Sequence, residues 1–189
     1  MGITFGEPRL DLALIRAWKD EVIDKLASGL VTLSNKRGVQ LIKGRAVFES
    51  SDKVRLSDSE VSHIKFRHAV LATGSRPIPF QGTPFEKGGR IMDSAGALDL
   101  ADIPERMLIL GGGYIALEMG TVYASLGSEV TLAVRGDRLL RGADPDLAVP
   151  LIRRLKDLFT SIHFNTKASS IKESGNHVEV ALEGEVEKP

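Results

Sequence analysis

Apolar residues after Pro8 recur at the spacing of one helix face. Leu12, Ile15, Trp18, Val22 and Leu26 share a broad stripe, while Arg16, Lys19, Asp20 and Asp24 lie elsewhere on the helix. Gly29 is a weak point or an end for this helix, and Leu30, Val31 and Leu33 extend the same pattern. The period then shortens. Strands are predicted at Val39-Gln40-Leu41-Ile42, Arg45-Ala46-Val47-Phe48, Lys53-Val54-Arg55-Leu56 and residues 60–66, with a turn around Ser50-Ser51-Asp52. His68-Ala69-Val70-Leu71-Ala72 is a continuous apolar run stopped by Thr73-Gly74, the pattern of a buried strand.

Residues 76–100 change character. Pro77, Pro79 and Pro84, with Gly82, Gly88 and Gly89, interrupt regular structure, so this stretch reads as a connection carrying one short helix near residues 94–98. From Arg106 the chain alternates: strand 107–110, glycine turn, helix to Leu126, strand 130–134, helix 145–159, strand 161–164, then strands near 168–173 and 177–182. Such alternation implies an α/β fold with a parallel sheet and helices packed on it. The expected organisation is one unit over residues 1–75, the connection over 76–100 and a second unit over 101–189.

Charge narrows the function. Among 189 residues, 25 Lys+Arg balance 25 Asp+Glu, so the basic surplus of a nucleic-acid-coating protein is missing. There is no cysteine, which excludes a disulfide, a thiolate metal site and a cysteine nucleophile within this chain. No apolar run approaches the roughly 20 residues of a membrane span. The segment Met1-Gly2-Ile3-Thr4-Phe5-Gly6 lacks the basic and apolar regions of a secretory signal, so a cytoplasmic location is expected.

The chemistry concentrates in Met107-Leu108-Ile109-Leu110-Gly111-Gly112-Gly113-Tyr114-Ile115-Ala116-Leu117-Glu118. Gly111, Gly113 and Ala116 fit G-x-G-x-x-G/A between an apolar strand and a helix, with a second strand following on schedule. The first glycine permits the tight turn, the second lets the backbone approach a pyrophosphate, and Ala116 allows close helix–strand packing. Free N–H groups and the positive end of the helix dipole would meet the phosphates. The alternative is a glycine turn that merely packs a helix; the flanking elements favour dinucleotide binding.

The next strand bears on which dinucleotide. An acidic residue at its end accepts hydrogen bonds from the adenosine ribose of NAD, but the residue there is Val134. Arg135 and Arg141 follow, with Arg138 as a third candidate, and guanidinium groups without a carboxylate suit the 2′-phosphate of NADP. A solvated basic loop is the alternative. Elsewhere, His63, His68, His163 and His177 show no metal or triad spacing and read as structural. Asp144-Pro145-Asp146 reads as a helix start with an acid capping or complementing the dipole, and Trp18 as a packing anchor. Glu118 is either an ordinary helix residue or one facing a second cofactor.

Together Gly6-Glu7-Pro8, Ile15-Arg16-Ala17-Trp18-Lys19, Ala72-Thr73-Gly74-Ser75-Arg76-Pro77 and the block from Gly111 to Tyr123 resemble dihydrolipoyl dehydrogenases, within the pyridine nucleotide–disulfide oxidoreductases. The resemblance implies an internal fragment: part of an FAD domain over residues 1–75, with a long helix and an antiparallel β segment, and a Rossmann-like NAD(P) domain over 101–189 with a β-meander but without its last strand. It also implies FAD and NAD as cofactors, with NADP an option, a homodimer, and a dihydrolipoamide substrate carried on an acyltransferase component. Residue by residue, Gly111, Gly112, Gly113, Tyr114 and Ile115 would lie under the dinucleotide pyrophosphate, and Glu118 would point toward the flavin and nicotinamide. Ala168 would sit near the adenine, Ala46 would offer its backbone to the adenosine half of FAD, and Thr73-Gly74 would line the flavin. The resemblance breaks at Val134, where the family usually carries Glu; Val134 with Arg135 and Arg141 looks instead like the pattern of NADPH-dependent glutathione reductase.

The reading is therefore part of an FAD-dependent dihydrolipoyl dehydrogenase that passes hydride to NAD(P)+, with the isolated chain inactive for want of a cysteine pair. Two rivals stand beside it: an NADPH-dependent disulfide or metal-ion reductase of the same superfamily, and a non-catalytic dinucleotide-binding module.

Overall fold

A computed structural model describes residues 2, 6, 8–86 and 88–186. Glu7 of the Gly6-Glu7-Pro8 motif, and Met1, Ile3, Thr4 and Phe5 of the N-terminal segment, lie outside the described residues. The chain divides into two compact units, one of Ala13–Arg76 and the other of Met1–Leu12 with Pro77–Pro189.

In the first unit the apolar stripe forms one helix, α1 (Leu12–Lys36), which runs through Gly29 to a basic last turn at Lys36. None of its residues is buried, and Trp18 is 68% exposed. Trp18 is thus not the packing anchor its size suggested, because helical spacing aligns apolar side chains without supplying a surface to cover them. A three-stranded antiparallel sheet follows, in the order β1 (Arg45–Ser50), β2 (Lys53–Ser57) and β3 (His63–Lys65). Phe48 and Phe66 meet edge to face with ring centroids 5.9 Å apart, and Val54, paired with both Phe48 and Ile64, is the buried strand residue. Elsewhere in the sheet Glu49 takes Lys53 Nζ at 2.9 Å, Arg55 Nε at 3.4 Å and His63 Nε2 at 3.4 Å. The hydrogen bond from Lys53 is the chief reason its carboxyl lies below the ordinary range, and the nearby cations add to it.

Two expected strands are absent. Residues 39–42 and 68–72 are irregular, and Val70 and Leu71 stand 92% and 73% exposed. Apolar content marks a segment that would gain from burial, but a strand exists only where another backbone pairs with it, and neither run has such a partner here.

The second unit holds the parallel sheet. After a short turn at Phe80–Gly82 and the helix α2 (Ser94–Leu98), capped by Asp93 Oδ1 accepting from Gly96 N at 2.8 Å, come β4 (Arg106–Leu110), α3 (Tyr114–Ser125), β5 (Glu129–Ala133), α4 (Pro145–Leu158) and β6 (Ser161–His163). The strands lie side by side in the order β4-β5-β6, all parallel, with Leu110 opposite Ala133 and Ala133 opposite His163. β7 (Lys167–Ser174) and β8 (His177–Glu183) form a separate antiparallel ribbon. This is the α/β, Rossmann-like arrangement expected from the alternation.

Val130 and Leu132 on β5, Tyr123 on α3 and Leu155 on α4 are all at most 1% exposed and make the centre of the core. Burying an aliphatic side chain of this size stabilises the fold by about 1.5–3 kcal/mol. Asp144 occupies the N-cap of α4 without a side-chain bond; Pro145 opens the helix and Asp146 complements its dipole from the first turn. Among the described residues no helix is long and apolar enough to cross a membrane.

Candidate functional site

The glycine turn joins β4 to α3 at the carboxyl edge of the parallel sheet, the edge at which open α/β sheets bind ligands. Gly111 has φ +135°, a conformation closed to other residues without strain, and its N–H donates to the Ala133 carbonyl oxygen at 2.9 Å. Gly112 is a close-approach position: a Cβ there would stand 2.8 Å from Val134 Cγ1 and 3.0 Å from Leu139 Cδ2. Its carbonyl oxygen accepts from Leu140 N at 2.9 Å, so the turn is fastened to the loop after β5 as well as to the strand.

Gly113 differs. It is the N-cap of α3 with extended φ −85° and ψ 172°, and a Cβ on it would meet nothing within 4 Å. Within that distance, no described side chain other than those of its chain neighbours fills the space. The N–H groups of Gly112, Gly113, Tyr114, Ile115 and Ala116 have no hydrogen-bond partner among the described residues, and α3 has no acid in its first turn. Unpaired donors, an unneutralised helix dipole and open space fit the pyrophosphate of a dinucleotide. Tyr114 and Ile115 are 67% and 46% exposed on the first turn. Glu118 is exposed one turn further on, beside a shallow cleft of about 340 Å³ shared with Tyr114, Thr121, Val122, Leu140 and Leu151.

The end of β5 is rearranged relative to expectation. Val134 is 4% exposed and packs behind Gly112, with its N–H donating to His163 O at 2.8 Å. Its side chain supports the turn and is not turned to solvent. Arg135 is exposed and makes no hydrogen bond or ion pair among the described residues. Arg141 does not join it. The Arg141 guanidinium folds over Gly136, with Cζ 2.6 Å from where a Cβ would be, and pairs with Asp137 at 3.5 Å. Arg138 Nη2 donates to the Arg141 carbonyl oxygen at 3.0 Å. Both arginines are engaged within their own loop.

Arg135 instead shares a cleft of about 510 Å³ with Asn165, Thr166, Lys167, Glu183 and Gly184. The sequence reading missed these residues, since β8 lies some fifty positions beyond Arg135 and no local spacing links them. Ala168 is 8% exposed and paired with Leu182 in the ribbon next to this cleft. Gly120 was also missed, although it lies one helical turn past Ala116. A Cβ there would stand 2.6 Å from Phe159 Cζ and 3.2 Å from Ile109 Cδ1, so α3 packs closely on both side chains at Gly120.

The residues expected at FAD lie in the first unit. Ala46 is exposed on β1, opposite Leu56, and Thr73 and Gly74 are exposed in the irregular segment that follows β3. Gly74 has φ +72° and open space around its Cα. Neither of the two clefts described above is lined by these three residues.

A profile for the pyridine nucleotide-disulphide oxidoreductases matches residues 3–188. Dihydrolipoyl dehydrogenase of Vibrio parahaemolyticus is 38% identical over 184 residues, which cover 97% of this chain and 38% of that protein. Dihydrolipoyl dehydrogenase of Halobacterium salinarum is 38% identical over 189 residues, covering 98% of this chain and 40% of the relative. The chain thus spans about two fifths of the length of these curated relatives. Among solved structures, LpdA from Mycobacterium tuberculosis superposes with a TM-score of 0.80 at 24% identity, covering 94% of this chain and 40% of its own, and shares the fold. The HOCl-induced flavoprotein disulfide reductase RclA from Escherichia coli superposes with a TM-score of 0.74 at 26% identity, covering 93% of this chain and 40% of its own. With a parallel sheet, a glycine turn of bare amides and a match over nearly its whole length, the chain belongs to the pyridine nucleotide-disulphide oxidoreductase family.

Proposed function

We infer that this chain is the nicotinamide-dinucleotide-binding part of an FAD-dependent dihydrolipoyl dehydrogenase, one that oxidises dihydrolipoamide and passes hydride to NAD(P)+. The observation that carries the reading is the row of unpaired N–H groups from Gly112 to Ala116 beneath the open space at Gly113. The relatives named dihydrolipoyl dehydrogenase support the substrate, and the family supports FAD and NAD(P) as the redox groups. In the working enzyme the substrate is carried on an acyltransferase component, the protein is a homodimer and the location is cytoplasmic. The nicotinamide group supplies the hydride acceptor.

The chain's own residues bind and orient. The amides of Gly112 to Ala116 hold the phosphates, Gly111 and Gly112 fix the turn, and Glu118 and Tyr114 border the adjoining cleft. With no cysteine among its residues, the chain contributes no thiol to the oxidation of dihydrolipoamide and is inactive alone.

The test is amide hydrogen exchange of the chain with and without saturating NADH or NADPH. Slowed exchange at residues 112–116 is the expected result. Unchanged exchange there, at concentrations that saturate related enzymes, removes the reading. A reductase of disulfides or metal ions that consumes NADPH uses the same pocket, and the unpaired Arg135 favours it over a module without catalysis.

A further inference from the structure

We propose that Leu140 is a positioning residue for the pyrophosphate: its left-handed backbone holds the Gly112–Gly113 peptide with the N–H, rather than the carbonyl oxygen, toward the dinucleotide. The proposal rests on the dinucleotide reading of the glycine turn and adds a residue outside the motif, beyond the next strand, that keeps the turn in its donor state.

Leu140 has φ +48°, a region in which a leucine is strained because its Cβ crowds the backbone. Other described residues at positive φ have simpler accounts. Asp58 and Asn165 are of types that tolerate the region, and Leu100 follows the C-cap of α2, where helices commonly end in it. Leu140 lies at no helix end.

The conformation lets two adjacent residues grip one glycine. Leu139 is 2% exposed and lies against Gly112, where a Cβ would stand 3.0 Å from Leu139 Cδ2. Leu140 then carries its N–H back to the Gly112 carbonyl oxygen, at 2.9 Å. The carbonyl oxygen of Leu140 accepts from Ala143 N at 2.8 Å, closing a turn that holds the outlier in place.

That bond sets the direction of a donor. In a trans peptide the C=O and N–H point opposite ways. With the Gly112 oxygen bonded to Leu140, the Gly113 N–H points away from Leu140, and it has no partner among the described residues. The next carbonyl, of Gly113, is committed to the helix, accepting from Leu117 N at 3.2 Å. Two glycines flank the peptide, and neither has a Cβ to resist a crankshaft rotation that exchanges N–H for C=O. A bound anion gains from a donor there and is repelled by an oxygen. The Leu140 N–H blocks the exchange, so backbone strain is stored beside the site it orders.

The experiment is NMR of the full isotope-labelled chain, with NADH as the probe, on the wild type and on Leu140→Val, Leu140→Asn and Leu140→Gly. The wild type should show a scalar coupling across the bond from Leu140 N–H to the Gly112 carbonyl, and saturating NADH should move the Gly113 amide proton downfield. A β-branched residue resists positive φ, so Leu140→Val should lose the coupling and the Gly113 shift and weaken NADH about tenfold. Asn and Gly accept the left-handed region and keep the N–H, so both should restore coupling, shift and affinity to within about twofold. If the side chain acted by packing alone, Leu140→Gly would be the most damaging of the three. The positioning role is overturned, and the pyrophosphate site stands, if the wild type lacks the coupling, if a folded Leu140→Val binds NADH as the wild type does, or if the Asn and Gly variants bind as weakly as Val. Should Leu140→Val fail to fold, the wild-type coupling and the affinities of the other two variants decide. If the wild type does not bind NADH, the dinucleotide reading fails and the role of Leu140 fails with it.

Discussion

The backbone of Gly112 lies directly against the Val134 side chain: a Cβ on the glycine would stand 2.8 Å from Val134 Cγ1. The middle glycine of the turn is thus a packing requirement, and the residue at the end of β5 supplies the surface it packs on. Leu139 closes the same contact from the loop, at 3.0 Å, and both side chains are nearly fully buried. Gly112→Ala should therefore destabilise the second unit by about 1–3 kcal/mol through overpacking. The check is the denaturant midpoint, and Val134→Ala in the same chain should recover part of the loss. An unchanged midpoint in the single variant would show that the turn yields freely.

Gly113 predicts the opposite behaviour one residue later. Its extended backbone is open to any residue, and a Cβ meets no described atom within 4 Å beyond those of its chain neighbours. Gly113→Ala should leave stability within about 0.5 kcal/mol of wild type. The added methyl group would occupy the space assigned to the pyrophosphate, so dinucleotide affinity should fall tenfold or more, about 1.4 kcal/mol. Melting and titration of the same sample give both answers, and retained affinity in a stable variant would sink the assignment of that space.

Much of the second unit was legible in the chain because its elements are defined locally. A strand of four consecutive apolar residues, a glycine turn and a helix with regular spacing announce themselves without distant neighbours, and β4, α3, β5, α4 and β6 all appear where that periodicity put them. The first unit was less legible for the converse reason. Val70 and Leu71 carry the composition of a buried strand, yet composition cannot state whether a second backbone will pair with them. The candidate site divides in the same way. Gly111 and Gly113 follow from the motif, while the contact of Val134 with Gly112, the engagement of Arg141 with Gly136, and the arrival of Lys167 and Glu183 beside Arg135 are consequences of how the chain returns on itself.

Gly120 is the helix residue that sets the distance of α3 from its neighbours. Alanine is the better helix former by about 1 kcal/mol, and in an exposed helix that preference would decide the outcome. Here a Cβ would stand 2.6 Å from Phe159 Cζ, on a ring that is itself only 5% exposed. With the ring buried, overpacking should exceed the gain in propensity and Gly120→Ala should lower stability by about 1–2 kcal/mol. Pairing it with Phe159→Leu should reverse the sign of the glycine substitution, because the smaller side chain removes the obstacle and leaves the propensity gain. Thermal denaturation of the four members of this double-mutant cycle measures the coupling, and strict additivity would contradict the contact.

Tyr123 joins α3 to α2 through a buried hydrogen bond: its hydroxyl, on a side chain 1% exposed, donates to the Ala97 carbonyl oxygen at 2.8 Å. Burial pushes the phenol above its ordinary value of 10.0, and the carboxylates of Asp102 and Asp99 add to the shift. The folded state thus keeps its proton where the unfolded chain has begun to lose it. The stability linked to this group is fully present below the unfolded value and is lost as pH rises through the folded one. The midpoint of denaturation should therefore fall more steeply above about pH 10 in the wild type than in Tyr123→Phe, which has no proton to lose there. At about pH 7 the order is simpler: Tyr123→Phe takes from the Ala97 carbonyl its shorter hydrogen bond, leaving the longer one from Leu100 N at 3.3 Å, and should be less stable by about 1 kcal/mol. The two curves should converge as alkalinity increases, since every other group is common to both proteins. Parallel curves across that range would show that Tyr123 ionises equally in the folded and unfolded chains.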